Sequence, residues 1–225
     1  MKRVFVILIA VILLIFAGCS AENGIDIEND GGNVIENENK PIVIVAYGDS
    51  LTEGFGIPRT DAYPAQLESR LNEKGYNVKV YNSGYSGETT TGALDRLNWV
   101  LQLNPDIVIF TTGANDAFRG ISPEIIEQNM RDVIERLLEE DIIVVLGGME
   151  IVQNLGETYI NQFESIYPRL AEEYDIYYIP FLLEGVAGNS SLNLPDEIHP
   201  TKEGYSIIVE NNILPVIEEI LQNKS

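Results

Sequence analysis

The stretch VAYGDSLTEG, residues 45–54, is the segment from which the fold is predicted. The apolar run 42–47 predicts a buried strand, and Gly48 ends it. Ser50 follows two residues later, on the predicted turn. A strand holds such a serine rigidly and the turn lifts its hydroxyl into a cleft, so Ser50 is a candidate nucleophile. Because most turn serines only bond nearby backbone, the rest of the chain must supply a base, an acid and an oxyanion hole.

Strand and helix patterns alternate from Pro41 onward, which defines a predicted domain over residues 41–225. The predicted strands are residues 42–47, 77–82, 106–112, 142–147 and 176–179. The predicted helices are a segment from Asp61 to Gly75, residues 89–103, a helix that Ser122 caps with Pro123 at its first position, residues 159–173, and residues 201–221 with a cap at Thr201 and a bend at Pro215. This alternation predicts a three-layer α/β/α sandwich with a five-stranded, mostly parallel sheet, in which the first strand is central.

The first 40 residues differ in composition from this domain. Residues 1–18 combine a positive start, an apolar run too short to span a membrane comfortably and small residues, which predicts a secretory signal peptide. The segment 16–19, Phe-Ala-Gly-Cys, resembles a bacterial lipobox, which implies cleavage before Cys19, its lipidation, and a lipoprotein anchored to the cell membrane. An ordinary signal peptide or an uncleaved anchor is the alternative. Residues 19–40 are rich in Glu, Asp, Asn and Gly and predict a disordered tether.

Composition excludes several classes of protein. Fourteen Lys and Arg against 35 Asp and Glu give a formal net charge of −21, which repels nucleic acid and argues against a nucleic-acid partner. A single cysteine, Cys19, excludes an intrachain disulfide, and no Cys/His cluster has the spacing of a zinc site. The chain contains one histidine, so any imidazole base must be His199.

The carboxyl ends of the predicted strands carry the residues needed for acyl transfer, because sites in parallel sheets form at that edge. In this hypothesis Ser50 is the nucleophile, His199 the general base, and Asp196 the acid that orients the imidazole. The backbone N–H groups of Ser50 and Gly87 and the side-chain amide of Asn115 are candidate oxyanion donors. Each has a structural alternative: a helix-entry histidine, turn-capping Asp and Asn side chains, and glycines that only supply positive φ.

Four segments in this order resemble the blocks of the SGNH or GDSL hydrolase family. They are Gly48-Asp49-Ser50-Leu51, Ser83–Gly87, Gly113-x-Asn115-Asp116 and Asp196-x-x-His199-Pro200. The resemblance covers residues 41–221 and implies a flavodoxin-like SGNH fold, the roles given above, and no metal or organic cofactor. Within the family the chain looks closest to bacterial secreted thioesterase/lysophospholipase-like esterases. The resemblance assigns the oxyanion-hole glycine to Gly87 and not to Gly84, because Gly87 precedes an acidic residue and Thr89, as the corresponding glycine does in those esterases. Ala114 stands where that branch often has glycine.

Ser86 is a second serine near a predicted strand end. The sequence Gly84-Tyr85-Ser86-Gly87 resembles a nucleophile elbow but lacks the glycine two residues after the serine, so Ser50 is preferred.

The candidate substrate-contacting residues are mostly apolar and follow the carboxyl ends of several predicted strands. They are Asp49, Ala117, Phe118 and Ile151, with Ile121, Met149, Leu182 and Leu183 as further candidates. We therefore expect a lipid-anchored serine esterase that cleaves carboxylic esters or thioesters of acyl substrates. The alternatives are a carbohydrate O-acetylesterase with the same machinery and a surface binding module without catalysis. The sequence makes no prediction of oligomeric state.

Overall fold

The structure is a computed structural model that describes residues 40–151 and 155–224. The predicted signal peptide, Cys19 and the predicted tether up to residue 39 lie outside the described residues. In the two described ranges, no helix has the length and apolar character needed to cross a membrane.

A parallel five-stranded sheet forms the centre of the fold. Its strands are β1 (Ile42–Gly48), β2 (Val78–Gly84), β3 (Ile107–Thr111), β4 (Ile143–Gly147) and β5 (Tyr177–Ile179). Every neighbouring pair is parallel in the order β2-β1-β3-β4-β5, which confirms the predicted fold class. The prediction that β1 is central is wrong. The chain crosses back over β1 after β2, so β3 takes the middle position and β1 lies between β2 and β3.

Helices connect the strands. They are α1 (Ser50–Glu53), α2 (Tyr63–Glu73), α3 (Thr90–Leu101), α4 (Ala114–Phe118), α5 (Pro123–Glu139), α6 (Glu157–Glu164), α7 (Ile166–Tyr174), α8 (Lys202–Ile208) and α9 (Leu214–Lys224), with a 3₁₀ turn at Arg59–Asp61. One group of contacting helices contains α2, α8 and α9, and another contains α3, α5, α6 and α7. Members of both groups contact the sheet, which gives the three-layer arrangement.

The predicted helix over residues 159–173 is two helices, α6 and α7. Pro168 explains the division. Proline has no N–H to donate to the carbonyl four residues earlier, and its ring clashes with that carbonyl, which here belongs to Glu164. Helix α6 ends at Glu164, and α7 begins at Ile166.

The helix predicted over residues 201–221 is also interrupted. Thr201 caps α8 as expected, since its side chain accepts from the Gly204 N–H. A π-helical turn, Val209–Ile213, then separates α8 from α9, and the N–H of Leu214 donates to the Val209 carbonyl. The turn lies directly before Pro215, which cannot make the regular α-helical bond.

Ser122 occupies the N-cap position of α5, but its side chain makes no capping hydrogen bond. Its backbone carbonyl accepts from the N–H groups of Ile125 and Ile126 instead. The predicted position of the helix start was therefore right and the predicted side-chain cap was wrong.

The topology places the ends of β1 and β3 side by side. Gly48 pairs with Thr111, and the order of connections reverses between these two strands. Ligand sites in open parallel sheets form at such a switch point, outside the carboxyl ends of the strands. Ser50 directly follows β1 and Asn115 follows β3, so the fold brings both to the same edge of the sheet.

Candidate active site

A continuous hydrogen-bonded chain joins Ser50, His199 and Asp196. The Ser50 Oγ lies 2.8 Å from His199 Nε2, and His199 Nδ1 lies 2.8 Å from Asp196 Oδ2. The backbone N–H of His199 also donates to Asp196 Oδ1 at 3.0 Å, and this bond is the largest influence that lowers the pKa of Asp196 to about 2. Asp196 is therefore ionised at neutral pH and is placed to orient the imidazole and to stabilise an imidazolium.

The loop that carries Asp196 and His199 is closed at its base. Asn193 and Pro200 form an isolated antiparallel bridge, and the Leu194 N–H donates to the His199 carbonyl at 2.7 Å. Glu197 takes a left-handed conformation, φ 61°, which lets the loop turn back within a few residues. These local bonds explain how a three-residue offset brings the carboxylate to the ring.

Hydrogen bonds join the region of helix α4 to the loop after β2. The Asn115 side-chain amide donates to the Glu88 carbonyl at 3.0 Å, and Arg119 Nη2 donates to the Gly87 carbonyl at 2.7 Å. Asp116 is fully buried and accepts from the backbone N–H and the hydroxyl of Thr90. Because Asn115, Asp116 and the C-cap residue Arg119 bind this loop and the first residue of α3, the segments that carry Gly87 and Asn115 are fixed relative to each other.

Glycine is required at Gly84 and at Gly87 for different reasons. A Cβ at Gly84 would lie 2.1 Å from the backbone nitrogen of Glu53, so close packing of β2 against α1 demands glycine there. Gly87 has more space but a φ of 78°, which side chains rarely adopt. Gly84 is therefore fixed by packing within the sheet edge, whereas Gly87, the predicted oxyanion donor, lies in the loop beyond β2.

Ser86 has a structural partner and no histidine. Its hydroxyl and its backbone N–H both bond to Oε2 of Glu53 in α1. His199 contacts Ser50 instead, which supports the preference for Ser50 over Ser86.

Asp49 caps α1 from beneath the site. It is 2 % exposed, Oδ1 accepts from the Leu51 N–H at 3.0 Å, and Oδ2 accepts from the Asn115 amide at 3.2 Å. Burial raises its pKa to about 6, opposed in part by the bond from Leu51. Asp49 was predicted to contact substrate. It is among the residues that line the cavity beside Ser50, and both of its oxygens accept from protein donors, so it also positions Asn115 and α1.

A cavity of about 490 Å³ opens beside Ser50 and His199. The residues that line it are mostly apolar and include Ala114, Phe118, Met149, Ile151, Phe181, Leu183 and Ile198. Phe118 and Ile151 are therefore placed as predicted. Ala117 is not: it is fully buried on the inner side of α4 and does not line the cavity. Leu182 is likewise buried away from it, whereas its neighbour Leu183 lines the wall.

Several residues of the site were not predicted from the sequence. Phe55 packs on the imidazole, with 4.7 Å between the ring centroids of Phe55 and His199. Phe181, Ile198, Glu150 and Glu197 line the cavity. Ile198 and Glu197 lie inside the Asp196–His199 segment, so proximity to that motif was an available signal. Phe181 and Glu150 follow other strand ends, and nothing in their local sequence distinguishes them.

Arg96 is a further supporting residue that the sequence did not reveal. Its guanidinium donates to the Gly48 carbonyl at the end of β1, to the Ser83 carbonyl and hydroxyl near the end of β2, and to the Glu88 carboxylate. It also lies over the Tyr47 ring, 4.5 Å from the centroid. These contacts hold the first two strand ends together directly behind the site.

Within residues 40–151 and 155–224, no group of three or more His, Cys, Asp or Glu side chains is arranged to hold a metal ion.

Comparison with known proteins identifies the family to which the chain belongs and agrees with its fold. The model of the GDSL-like lipase/acylhydrolase family matches residues 46–207, and the chain belongs to this family. It is an ester-bond hydrolase of the SGNH type.

Individual relatives carry related descriptions. The chain is 35 % identical over 168 residues to an arylesterase of Vibrio mimicus, across 74 % of this chain and 84 % of that protein. It is 31 % identical over 168 residues to thioesterase 1/protease 1/lysophospholipase L1 of Escherichia coli K12, across 74 % and 79 % of the two chains. The crystal structure of AlinE4, an SGNH-hydrolase family esterase, superposes with a TM-score of 0.68 at 39 % identity and covers 80 % of this chain and 97 % of that chain.

The buried carboxyl group of Asp49 gives a prediction for the pH dependence of stability. Its pKa is about 6 in the folded protein and 3.8 in the absence of burial, so folding favours the protonated form. The stabilisation that protonated Asp49 gives to the folded protein is fully present below about pH 4 and is lost as the pH rises through 6. The difference corresponds to roughly 3 kcal/mol. Asn at this position does not titrate, so Asp49→Asn should lack this loss.

Urea unfolding at intervals from pH 4 to pH 7 measures this effect. The free energy of unfolding of the wild type should fall relative to that of Asp49→Asn as the pH rises. Glu139→Gln, at the exposed end of α5, removes one charge elsewhere and should follow the wild type. Parallel pH curves for the wild type and Asp49→Asn would contradict the raised pKa.

Proposed function

We propose that this protein hydrolyses carboxylic esters and thioesters of acyl substrates through an acyl-enzyme on Ser50, with His199 as base and Asp196 as the orienting acid. The hydrogen-bonded chain of these three side chains, with 2.8 Å at both imidazole nitrogens, carries the proposal. Its position at the mouth of an apolar cavity supports an acyl group as the part of the substrate that is bound.

The proposed reaction has two halves. In the first, His199 Nε2 takes the proton of the Ser50 hydroxyl while Oγ attacks the carbonyl carbon, and the tetrahedral intermediate then expels the alcohol or thiol, which receives that proton. In the second, water loses a proton to His199 and attacks the acyl-enzyme. The C–Oγ bond breaks, Ser50 regains its proton, and the carboxylic acid is released.

The oxyanion of each intermediate needs donors at the same edge of the sheet. In this proposal they are the backbone N–H groups of Ser50 and Gly87 and the Asn115 amide. Asn115 donates to the Glu88 carbonyl and to Asp49 in the substrate-free protein, so its amide plane is fixed before substrate arrives. The amide has only two N–H donors and both are engaged, so a bond to the oxyanion has to replace or share the bond to Asp49 or to the Glu88 carbonyl as the negative charge develops.

The size of the cavity favours an acyl chain longer than acetyl. Its volume of about 490 Å³ lies in the range of roughly 300–1,000 Å³ that is typical of pockets for drug-sized ligands. Buried Met149 and Ile151 and half-exposed Phe118 offer it apolar surface. The names of the relatives, which include an arylesterase and a thioesterase/lysophospholipase, agree with ester and thioester substrates of this kind.

Replacement of the reacting residues tests the mechanism. Ser50→Ala and His199→Ala should each lower kcat by roughly 10⁴-fold or more, because triad members act as a unit. Ser86→Ala is the matched control: its hydroxyl bonds Glu53, and the variant should keep most of the activity. A fluorophosphonate should label Ser50 in the wild type and in Ser86→Ala. Substantial turnover by His199→Ala would refute the mechanism, since the chain has no second histidine.

A series of p-nitrophenyl esters from acetyl to decanoyl tests the acyl specificity. We expect kcat/KM to rise beyond acetyl, because each methylene that enters the apolar cavity contributes up to about 0.8 kcal/mol of transfer free energy. Ile151→Asp, on the cavity wall, should weaken the preference for longer chains. Activity limited to the acetyl ester would instead favour a carbohydrate O-acetylesterase.

We further propose that the mature protein is a membrane-anchored lipoprotein. The support is the sequence alone: a signal-like segment followed by Phe-Ala-Gly-Cys, with the only cysteine of the chain at position 19. Mass spectrometry of the protein from the membrane fraction should find a diacylglyceryl group on an N-terminal Cys19. The variant Cys19→Ala should leave the membrane fraction or remain unprocessed. An unmodified Cys19 in the mature wild type would exclude this anchor.

A further inference from the structure

The walls of the cavity carry negative charge without a matching cation. Glu150 and Glu197 line it and are both exposed. They belong to different segments, one directly after the Gly148-Met149 pair that follows β4 and the other two residues before His199. Among the described residues that line the cavity, none is Lys or Arg, and neither glutamate forms a salt bridge within the described part of the chain.

Other carboxylates reinforce this charge. Partial burial raises the pKa of Glu150, and the neighbouring carboxylates of Glu164 and Glu184 raise it further. Of the cations in neighbouring segments, Arg59 pairs with Glu53, whereas Arg119 donates to the neutral Gly87 carbonyl and keeps its charge; neither lines the cavity. An anionic group that enters the cavity would therefore meet carboxylates and no free cation on the described walls.

Charge on these walls acts mainly on the leaving group. The apolar residues of the cavity provide a place for an uncharged acyl chain, whereas Glu150 and Glu197 stand at its exposed parts. A cleft with charge of one sign and walls of low dielectric concentrates the field and changes the local concentration of charged substrates. The formal net charge of −21 on the whole chain adds to this effect at long range.

We propose that the cavity selects substrates by charge, and that Glu150 and Glu197 are the residues that determine this selection. The preferred substrates are acyl esters whose alcohol or thiol part is uncharged or cationic. Esters with an anionic leaving group, including the polyanionic thioesters of nucleotide-linked carriers, are disfavoured. This inference rests on the proposed function, because it concerns the substrates of the cavity beside Ser50.

Three butyrate esters of similar size test the selection. They are butyrylcholine, which is cationic, its uncharged isostere 3,3-dimethylbutyl butyrate, and the anionic butyrate ester of 4-hydroxybutyrate. Released butyrate is measured at constant pH, and kcat/KM is compared between the wild type and the double variant Glu150→Gln/Glu197→Gln. Differences in intrinsic reactivity among the esters cancel in the ratio of variant to wild type.

In the double variant, kcat/KM for the anionic ester relative to the uncharged one should rise about tenfold, and that for the cationic ester should fall by a similar factor. In the wild type, an increase from 20 to about 500 mM salt should bring the kcat/KM values of the anionic and cationic esters closer to that of the uncharged ester, because ions screen the charges. The double variant Glu139→Gln/Glu140→Gln changes the net charge by the same two units but lies at the far end of α5, and it should leave the three ratios unchanged.

Two failures can be distinguished. If the wild type hydrolyses the uncharged ester but the charge ratios do not change in the double variant, the proposed charge selection is wrong and the proposed function stands. If the uncharged ester is not hydrolysed and a fluorophosphonate does not label Ser50, the proposed function itself fails. The rate of Ser50 labelling in the double variant also verifies that the site is intact.

Discussion

The guanidinium of Arg96 is the contact on which the geometry of the site depends. It joins the Gly48 carbonyl at the end of β1 to the Ser83 carbonyl near the end of β2, and its charge is balanced by the largely buried carboxylate of Glu88. The Gly48 carbonyl also accepts from the Tyr85 N–H at 2.9 Å, and the planar guanidinium with its five donors adds a bond there while it binds Ser83 and Glu88. Ser50 begins only two residues beyond Gly48, so the position of its backbone follows from this contact.

The same edge contains a second set of buried polar groups on the β3 side. Asp49 accepts from the Asn115 amide, and Asn115 in turn donates to the Glu88 carbonyl, so the ends of β1, β2 and β3 are connected. Burial raises the pKa values of Asp49, Glu88 and Asp116, which shows that the fold keeps carboxyl groups here at an energetic cost. Costs of this kind are typical of functional sites, where preorganised polar groups replace water.

The cavity and the reacting groups have different origins in the chain. The reacting groups lie on short segments whose shape is held by hydrogen bonds within the segment, such as the loop from Asp196 to His199. The walls of the cavity are assembled from segments far apart in sequence, among them Phe118, Met149 and Phe181. Variation of these walls can therefore change acyl and leaving-group preference without disturbing the bonds that hold His199 on Ser50. Glu150 belongs to one of these distant walls, whereas Glu197 lies inside the loop that carries His199, so the proposed charge selection draws on both parts of the site.

The sequence by itself determined the alternation of strands and helices, the parallel sheet and the residues Ser50, Asp196, His199 and Asn115, because hydrophobic period and local motifs encode them directly. Only the tertiary structure decided that β3 is central, that Ala117 is buried and that Arg96 supports the strand ends. These facts depend on which elements become neighbours, and contacts such as the bond from Arg96 to Gly48 join residues far apart in the chain. The charge of the cavity walls is of the same kind, since it arises only when distant segments enclose one space.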